Sequence, residues 1–344
     1  MKHLVVCKFG GTSLADASRF RRVAEILRRN AARKYLVVSA PGARFPGDAK
    51  LTDRLLQARL MSPWAREREW GQVCARFREI ARGLGRDAPE EDLERARTAL
   101  EADRSTALSR GEWLCARQMA AYLRLPFVDA AEVIRFRNGT PEPGASYARL
   151  KELPREGAVL PGFYGAEADG RIAVFPRGGS DITGAWVAAA LQADAYENWT
   201  DVDGFYSADP ALVAGARPIA ALSPEQAEQI CRAGAGVLHW ACIAPAAQAG
   251  VPIFVKNTFR PEAPGTRIAR DAHYEGICVA CRREESGLFR VTLLGASPAA
   301  RACAEQRLPS ALPRECREGK MQVLCPPAQA RLVAQTLHDA GSRG

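Results

Sequence analysis

The chain has 344 residues, 47% hydrophobic and 25% charged, with a net charge of +9, the composition of an ordinary soluble globular protein. No apolar run approaches the ~20 residues of a bilayer span and no signal-peptide pattern precedes the first strand, so a membrane partner is not expected and the expected location is cytoplasmic. The positive charge lies on arginines dispersed over helices, with no basic run interleaved with aromatics, which argues against nucleic acid.

The ten cysteines are scattered, mostly among apolar neighbours, as free buried thiols would be. The single CxxC, Cys278 to Cys281, lacks a second pair and a nearby histidine, and it alternates like a strand rather than a metal site.

Leu4 to Phe9 reads as a buried first strand with Lys8 at its carboxyl end, running into the turn Gly10-Gly11-Thr12-Ser13. Asp16 or Ser18 can cap the helix that follows, where Phe20, Val23, Ala24 and Leu27 recur at helical spacing. The turn resembles a phosphate loop but is not the GxxxxGK[ST] of a Walker A. Tyr35 to Ser39 is a second strand, broken by Ala40-Pro41-Gly42, and Leu51-Thr52-Asp53 opens another helix. Strand, helix, strand, loop, helix is the rhythm of a parallel sheet with crossover helices.

Residues 64–104 read as an amphipathic helical excursion broken at Gly83 to Pro89. Ser109-Arg110-Gly111-Glu112 then starts a helix reaching Leu123, and a carboxylate in a first turn stabilises that helix end by itself. Strands are expected at Phe127 to Ala130, Ala158 to Pro161 and Arg171 to Phe175.

Phe175 to Pro210 is the richest stretch. Arg177-Gly178-Gly179-Ser180-Asp181 forms a turn from which a small-residue helix, Ile182 to Leu191, departs, and the free N–H groups of such an end favour anions. The strand Ala195 to Trp199 delivers a second polar cluster, Thr200-Asp201-Val202-Asp203-Gly204. Polar groups at both ends of a loop–helix–strand–loop unit suggest a phosphate and nucleotide site on an α/β sheet. Beyond it come a helix at Pro224 to Ala233, a strand at Ile253 to Val255, a linker near residues 269–276, and a tail compatible with one βαββαβ module.

Together KFGGTS (Lys8 to Ser13), VVSAPG (Val37 to Gly42), RGGSDITGA (Arg177 to Ala185), WTDVDGFYSADP (Trp199 to Pro210) and VLH (Val237 to His239) resemble the aspartate kinases of the amino acid kinase superfamily. VKNTF (Val255 to Phe259) and PGT (Pro264 to Thr266) extend the match, in order, from about residue 3 to 268. KLTDRLL, SRGEWL and YENWTD are similar to a bacterial subgroup of that family.

The resemblance implies an α/β fold, a mostly parallel sheet sandwiched by helices, with a catalytic domain at 1–268 and a single small α+β ACT-like regulatory or dimerisation module at 277–342, hence a homodimer. It implies transfer of the γ-phosphoryl of ATP, with Mg²⁺, to the side-chain carboxylate of L-aspartate, giving 4-phospho-L-aspartate. Lys8 and Asp181 would be catalytic; Gly10, Gly11, Thr200, Asp201 and Tyr206, with Lys8, would bind the nucleotide. Arg177 would hold a substrate carboxylate, Glu112 the α-ammonium, and Ser39, Thr52 and Ser180 would stand on the substrate side. This chain has Ala211 where many members carry arginine, Gly236 where many carry lysine, and Trp240 after the histidine of VLH. A kinase for a related amino acid, and a catalytically weakened amino-acid-sensing homologue, are the alternatives that the residues leave open.

Overall fold

The computed structural model describes residues 3–317 and 319–341. The apolar runs become strands in chain order: β1 (Val5–Phe9), β2 (Arg33–Val38), the hairpin β3 (Phe136–Arg137) and β4 (Thr140–Pro141), and β5 (Ala158–Pro161). A second hairpin, β6 (Tyr164–Ala166) and β7 (Ile172–Val174), precedes β8 (Ala195–Thr200), β9 (Ala221–Leu222), β10 (Ile253–Asn257) and β11 (Thr266–Ile268). The main sheet has seven strands in the order β5-β2-β1-β8-β10-β11-β9. The first five run parallel, β11 runs antiparallel to β10 and β9 parallel to β11. From β1 the chain builds outward through β2 to β5, then returns to the other side of β1 with β8 and β10. That reversal opens a crevice at the carboxyl ends of β1 and β8, the usual ligand position of such sheets.

Alternation along β1 and β8 gives the two faces of the sheet different chemistry. Lys8 pairs in register with Asn198 and Cys7 with Glu197. On the Cys7 face the buried Glu197 receives a bidentate bond from Arg33 (2.8 and 3.0 Å) and one from Trp199 Nε1 (2.9 Å). Arg33 also bonds the carbonyl of Ile26, tying the sheet to helix α1 (Ala17–Arg28). As the spacing predicts, α1 buries Phe20, Val23, Ala24 and Leu27, and Asp16 caps it by accepting from the Arg19 N–H.

The excursion comprises α2 (Leu51–Leu60), α3 (Pro63–Gly83), α4 (Glu90–Leu100) and α5 (Arg104–Leu123). Four of its arginines pair with acids of neighbouring helices, Arg54 with Glu69, Arg78 with Glu90, Arg97 with Glu67 and Arg117 with Asp92. Asp103 caps α5 by accepting from the Thr106 N–H, so α5 starts at Arg104, well before Ser109. Glu112 therefore lies in mid-helix, and the reading that it stabilises a first turn is overturned. Phe127 makes only an isolated bridge to Val159 in place of the expected strand, because Asp129 caps the short helix α6 (Ala130–Val133).

Further helices are α7 (Pro143–Leu150), α8 (Gly179–Ala190), α9 (Pro224–Ala233) and α10 (Ile243–Gln248). Small residues let α8 lie directly on the sheet: a Cβ on Gly184 would come 2.7 Å from the Tyr196 ring. In the tail, β12 (Cys278–Arg283), β13 (Phe289–Leu294), α11 (Pro298–Arg307), β14 (Arg314–Arg317), β15 (Lys320–Cys325) and α12 (Pro327–Gly341) form an antiparallel sheet of order β12-β13-β15-β14 with two helices. The expected order βαββαβ is thus realised as ββαββα, with the completing strand β12 entering first, from the linker. Residue 318 and the expected module end at 342 lie outside the described residues. Ala208 and Val213, from the loop after β8, share the tail's apolar cluster, and the Val279 N–H bonds the Ser207 carbonyl (2.7 Å). No helix among the described residues is long and apolar enough to cross a membrane.

The Arg33–Glu197 pair yields a test of the sheet's buried electrostatics. Removing one partner leaves a buried, uncompensated charge, so Arg33→Met should cost roughly 3–5 kcal/mol in urea denaturation. A loss below about 1 kcal/mol would show that Trp199 alone satisfies Glu197.

Candidate active site

The centre of the crevice is an ion pair. Lys8, on the penultimate residue of β1, places Nζ 2.7 Å from Asp181 Oδ1, and both side chains are nearly buried. Asp181 stands in the first turn of α8, and Asn198 Nδ2 donates to the same oxygen at 2.8 Å. Its other oxygen accepts from the His239 N–H at 3.0 Å. Burial raises the pKa of Asp181, but the Lys8 charge and the donors from Lys8, Asn198 and His239 outweigh it and hold the carboxyl below its ordinary value. An ionised carboxylate with every oxygen satisfied fixes the ammonium of Lys8 at the sheet edge.

Two glycine loops meet beside this pair. A Cβ on Gly11 would come 2.7 Å from the Ala40 carbonyl oxygen, and one on Gly42 would come 2.6 Å from the Gly11 carbonyl carbon. Gly42 N–H bonds Gly11 O at 2.8 Å. Gly11 is thus required by backbone packing of one loop on the other, whereas a Cβ on Gly10 would face Lys8 Nζ at an ordinary 3.6 Å. Two guanidiniums staple the loops together. Arg19 donates to the carbonyls of Thr12, Ala43 and Arg44. Arg76, buried on α3, donates to Ala15, Gly42 and Asp48. Ser13 and Thr258 close the far side through a buried hydroxyl pair at 2.7 Å.

The loop after β2 also reaches α5. A Cβ on Gly111 would lie 2.8 Å from the Ala40 Cβ and 4.0 Å from the Thr52 methyl, so this turn of α5, which carries Glu112, packs on Ala40 and Thr52. Burial pushes the Glu112 carboxyl up to about 8, although N–H groups of Ala40 and of Glu112 itself pull the other way. Its Oε2 is buried and has no hydrogen-bond partner. Ser180 is buried against Gly162, where a Cβ would come 2.7 Å from the Ser180 hydroxyl. Arg177 is exposed in the turn before α8. Gly178 in that turn has a φ of 77° and gives room to the His239 ring, which a Cβ would meet at 2.1 Å.

On the β8 side a cavity of about 500 Å³ opens between loop 201–210, the turn 234–237 and strand β12. Asp201 and Tyr206 line it, while Thr200 lies just before it with its hydroxyl on Asp201 (3.2 Å). Asp203 is held by Asn257 Nδ2 (2.7 Å), the Tyr206 hydroxyl (3.3 Å) and Arg260. Among the described residues no three His, Cys, Asp or Glu side chains group to hold a metal ion. The carboxylates of the cavity fit a hard cation held jointly with phosphate oxygens.

Of the expected residues, Lys8, Gly10 and Asp181 thus lie together, Thr52 packs on the turn of α5 that precedes Glu112, and Asp201 and Tyr206 line the cavity. The sequence reading placed Asp203 in the second polar cluster without a role, and it missed Asn198, the His239 backbone and Asn257. An asparagine inside the buried run Tyr196 to Trp199 was the available signal, since a buried amide needs partners.

A parallel sheet gathers a buried lysine–carboxylate pair, a glycine turn and a cavity at its carboxyl ends, and the chain belongs to the amino acid kinase family, which it matches over residues 3–257. It is 37% identical over 285 residues to aspartokinase 3 of Bacillus subtilis, covering 76% of this chain and 63% of that protein. To the lysine-sensitive aspartokinase 3 of Escherichia coli it is 32% identical over 296 residues, covering 78% and 64%. The chain thus spans a little under two thirds of the length of these relatives. Its fold is similar to the crystal structure of Clostridium acetobutylicum aspartate kinase, with a TM-score of 0.84 and 27% identity over 98% of this chain and 100% of that one. The fold also matches E. coli aspartokinase III crystallised with aspartate and ADP, with a TM-score of 0.83 and 24% identity over 98% of this chain and 99% of that one.

The raised pKa of Glu112 sets a sign for stability against pH. Between its ordinary 4.5 and about 8 the unfolded chain ionises this carboxyl while the empty folded protein does not, so stability from this group is full below the window and lost across it. Glu112→Gln should therefore gain on the parent as pH rises from 5 to 8, by on the order of 3–5 kcal/mol in chemical denaturation. A parent–variant difference that stays flat with pH would contradict the burial argument.

Proposed function

We propose that the protein is an aspartate kinase, moving the γ-phosphoryl of ATP to the side-chain carboxylate of L-aspartate. The observation that carries the reading is the buried Glu112 oxygen without a partner, on the turn of α5 that Gly111 packs against Ala40 and Thr52. A carboxyl held in that state is costly unless a cation joins it, and the α-ammonium of an amino acid is the cation such a pocket fits. The relatives' names, and the aspartate and ADP of the E. coli structure, support the same acceptor and nucleotide.

In this reading the amino acid lies between Glu112 and the turn 177–180. Arg177, exposed in the turn before α8, closes on its carboxylate as a planar fork, and Ser39, Thr52 and Ser180 supply hydroxyls. The nucleotide occupies the cavity lined by Asp201 and Tyr206, with its phosphates toward Gly10, Gly11 and Lys8. A side-chain oxygen of aspartate attacks the γ-phosphorus, the bond to the β–γ bridging oxygen breaks, and ADP leaves with that electron pair. No general base is required, since a carboxylate is already nucleophilic at neutral pH. Lys8, oriented by Asp181, meets the charge on the transferring oxygens, the main work of catalysis in phosphoryl transfer. Asp201, which lines the cavity, would share a magnesium ion held by the phosphates, and that ion would supply further neutralisation. Residues 1–268 form the catalytic domain, and the tail to 342 acts as an ACT-like module for regulation or dimerisation.

The test uses the full chain with Mg·ATP and L-aspartate, trapping the acyl phosphate with hydroxylamine. Aspartate hydroxamate is expected; its absence alongside product from another α-amino acid would move the acceptor, and silence with every acceptor would remove the kinase reading. Lys8→Ala should lower kcat by about a hundredfold or more, and near-parental turnover would exclude it from the phosphoryl path. Arg177→Ala should raise the KM for aspartate about tenfold or more, and a change confined to ATP would reassign that arginine.

A further inference from the structure

The proposed nucleotide cavity has a charge pattern that by itself repels a polyphosphate. Asp201, Asp203 and Asp209 line it, and Arg260 is the one cationic side chain among the described lining residues. Gly236 lines it without charge, and Ala211, next to the lining Pro210, adds none. Lys8, paired with Asp181, stands outside the residues that line it.

Arg260 is well placed to answer this. Its backbone follows the end of β10, where Asn257 Oδ1 accepts from the N–H groups of Phe259 (2.8 Å) and Arg260 (3.3 Å). That clasp fixes where the side chain starts. Its guanidinium pairs with Asp203, yet the Arg260 side chain is 69% exposed while that of Asp203 is 14% exposed. An ion pair with one partner so exposed stabilises a fold little and is readily exchanged for a stronger anion. Asp203 does not depend on it, because Asn257 Nδ2 and the Tyr206 hydroxyl remain on the same carboxylate.

We propose that Arg260 is the nucleotide-gripping cation of this protein, held over the cavity by Asp203 when empty and transferred to the polyphosphate when a nucleoside triphosphate enters. The inference rests on the reading that this cavity takes the nucleotide. A guanidinium fork meets two phosphate oxygens at once, which an ammonium cannot do. The contact is made to phosphate alone, so it discriminates ATP from adenosine rather than one base from another.

Calorimetric titration of ATP and of adenosine into the full-length parent, Arg260→Gln and Arg260→Lys tests this, with thermal melts confirming that each variant folds. Arg260→Gln should weaken ATP about tenfold to a hundredfold while adenosine binding stays within about twofold. Arg260→Lys should fall between, keeping the charge but not the fork. ATP affinity unchanged in Arg260→Gln, or equal losses for ATP and adenosine, would overturn the assignment while leaving the cavity's occupant intact. A parent that binds neither would instead refute the nucleotide reading of the cavity.

Discussion

The buried contact between Lys8 and Asp181 is the constraint on which the rest of the site depends. A lysine at the end of a fully buried central strand must have a compensating charge nearby, because an unpaired ammonium in that position is costly. The carboxylate that supplies it must come from above the sheet, so α8 has to start there, close to β8. The small residues of α8 allow this approach, and Gly184 against Tyr196 marks how close it is. Asn198 and the His239 N–H then complete the shell of Asp181, which recruits β8 and the VLH segment to the same point.

Around that pair, loops that are separate in sequence behave as a single support. Gly11 and Gly42 touch backbone to backbone, and Arg19 and Arg76 bind carbonyls from both loops. The helical excursion is tied into the site through Arg76 and through Gly111 packed on Ala40. The tail is tied in as well, since β12 lines the cavity and bonds the Ser207 carbonyl. Changes in any of these elements reach the crevice through hydrogen bonds and packed backbone rather than at a distance.

Much of this was legible from residue patterns. The five parallel strands β1, β2, β5, β8 and β10 of the main sheet, the cap at Asp16, α9 and the break between α3 and α4 follow from periodicity and from capping residues, which are local signals, whereas the short strands β9 and β11 carry no such pattern. Glu112 was misread locally because Ser109-Arg110-Gly111 resembles a helix start, while the true cap, Asp103, lies six residues earlier. What made Glu112 notable, a buried oxygen with no partner, depends on the packing around α5, which local spacing does not reveal. The order of the tail strands was equally hidden, since a strand pattern does not say on which edge it pairs. The role of Gly11 in loop packing and the pairing of Asp203 with Asn257 and Arg260 arise from residues far apart in the chain.

In this account the buried Glu112 carboxyl, its pKa raised by burial, gains an α-ammonium when the amino acid binds. Calorimetry of L-aspartate binding near pH 7, in buffers of different ionisation enthalpy, counts the protons exchanged. With the carboxyl raised to about 8, binding should release close to one proton per amino acid as Glu112 ionises against the ammonium. Binding without proton release, or the same release in Glu112→Gln, would contradict the account.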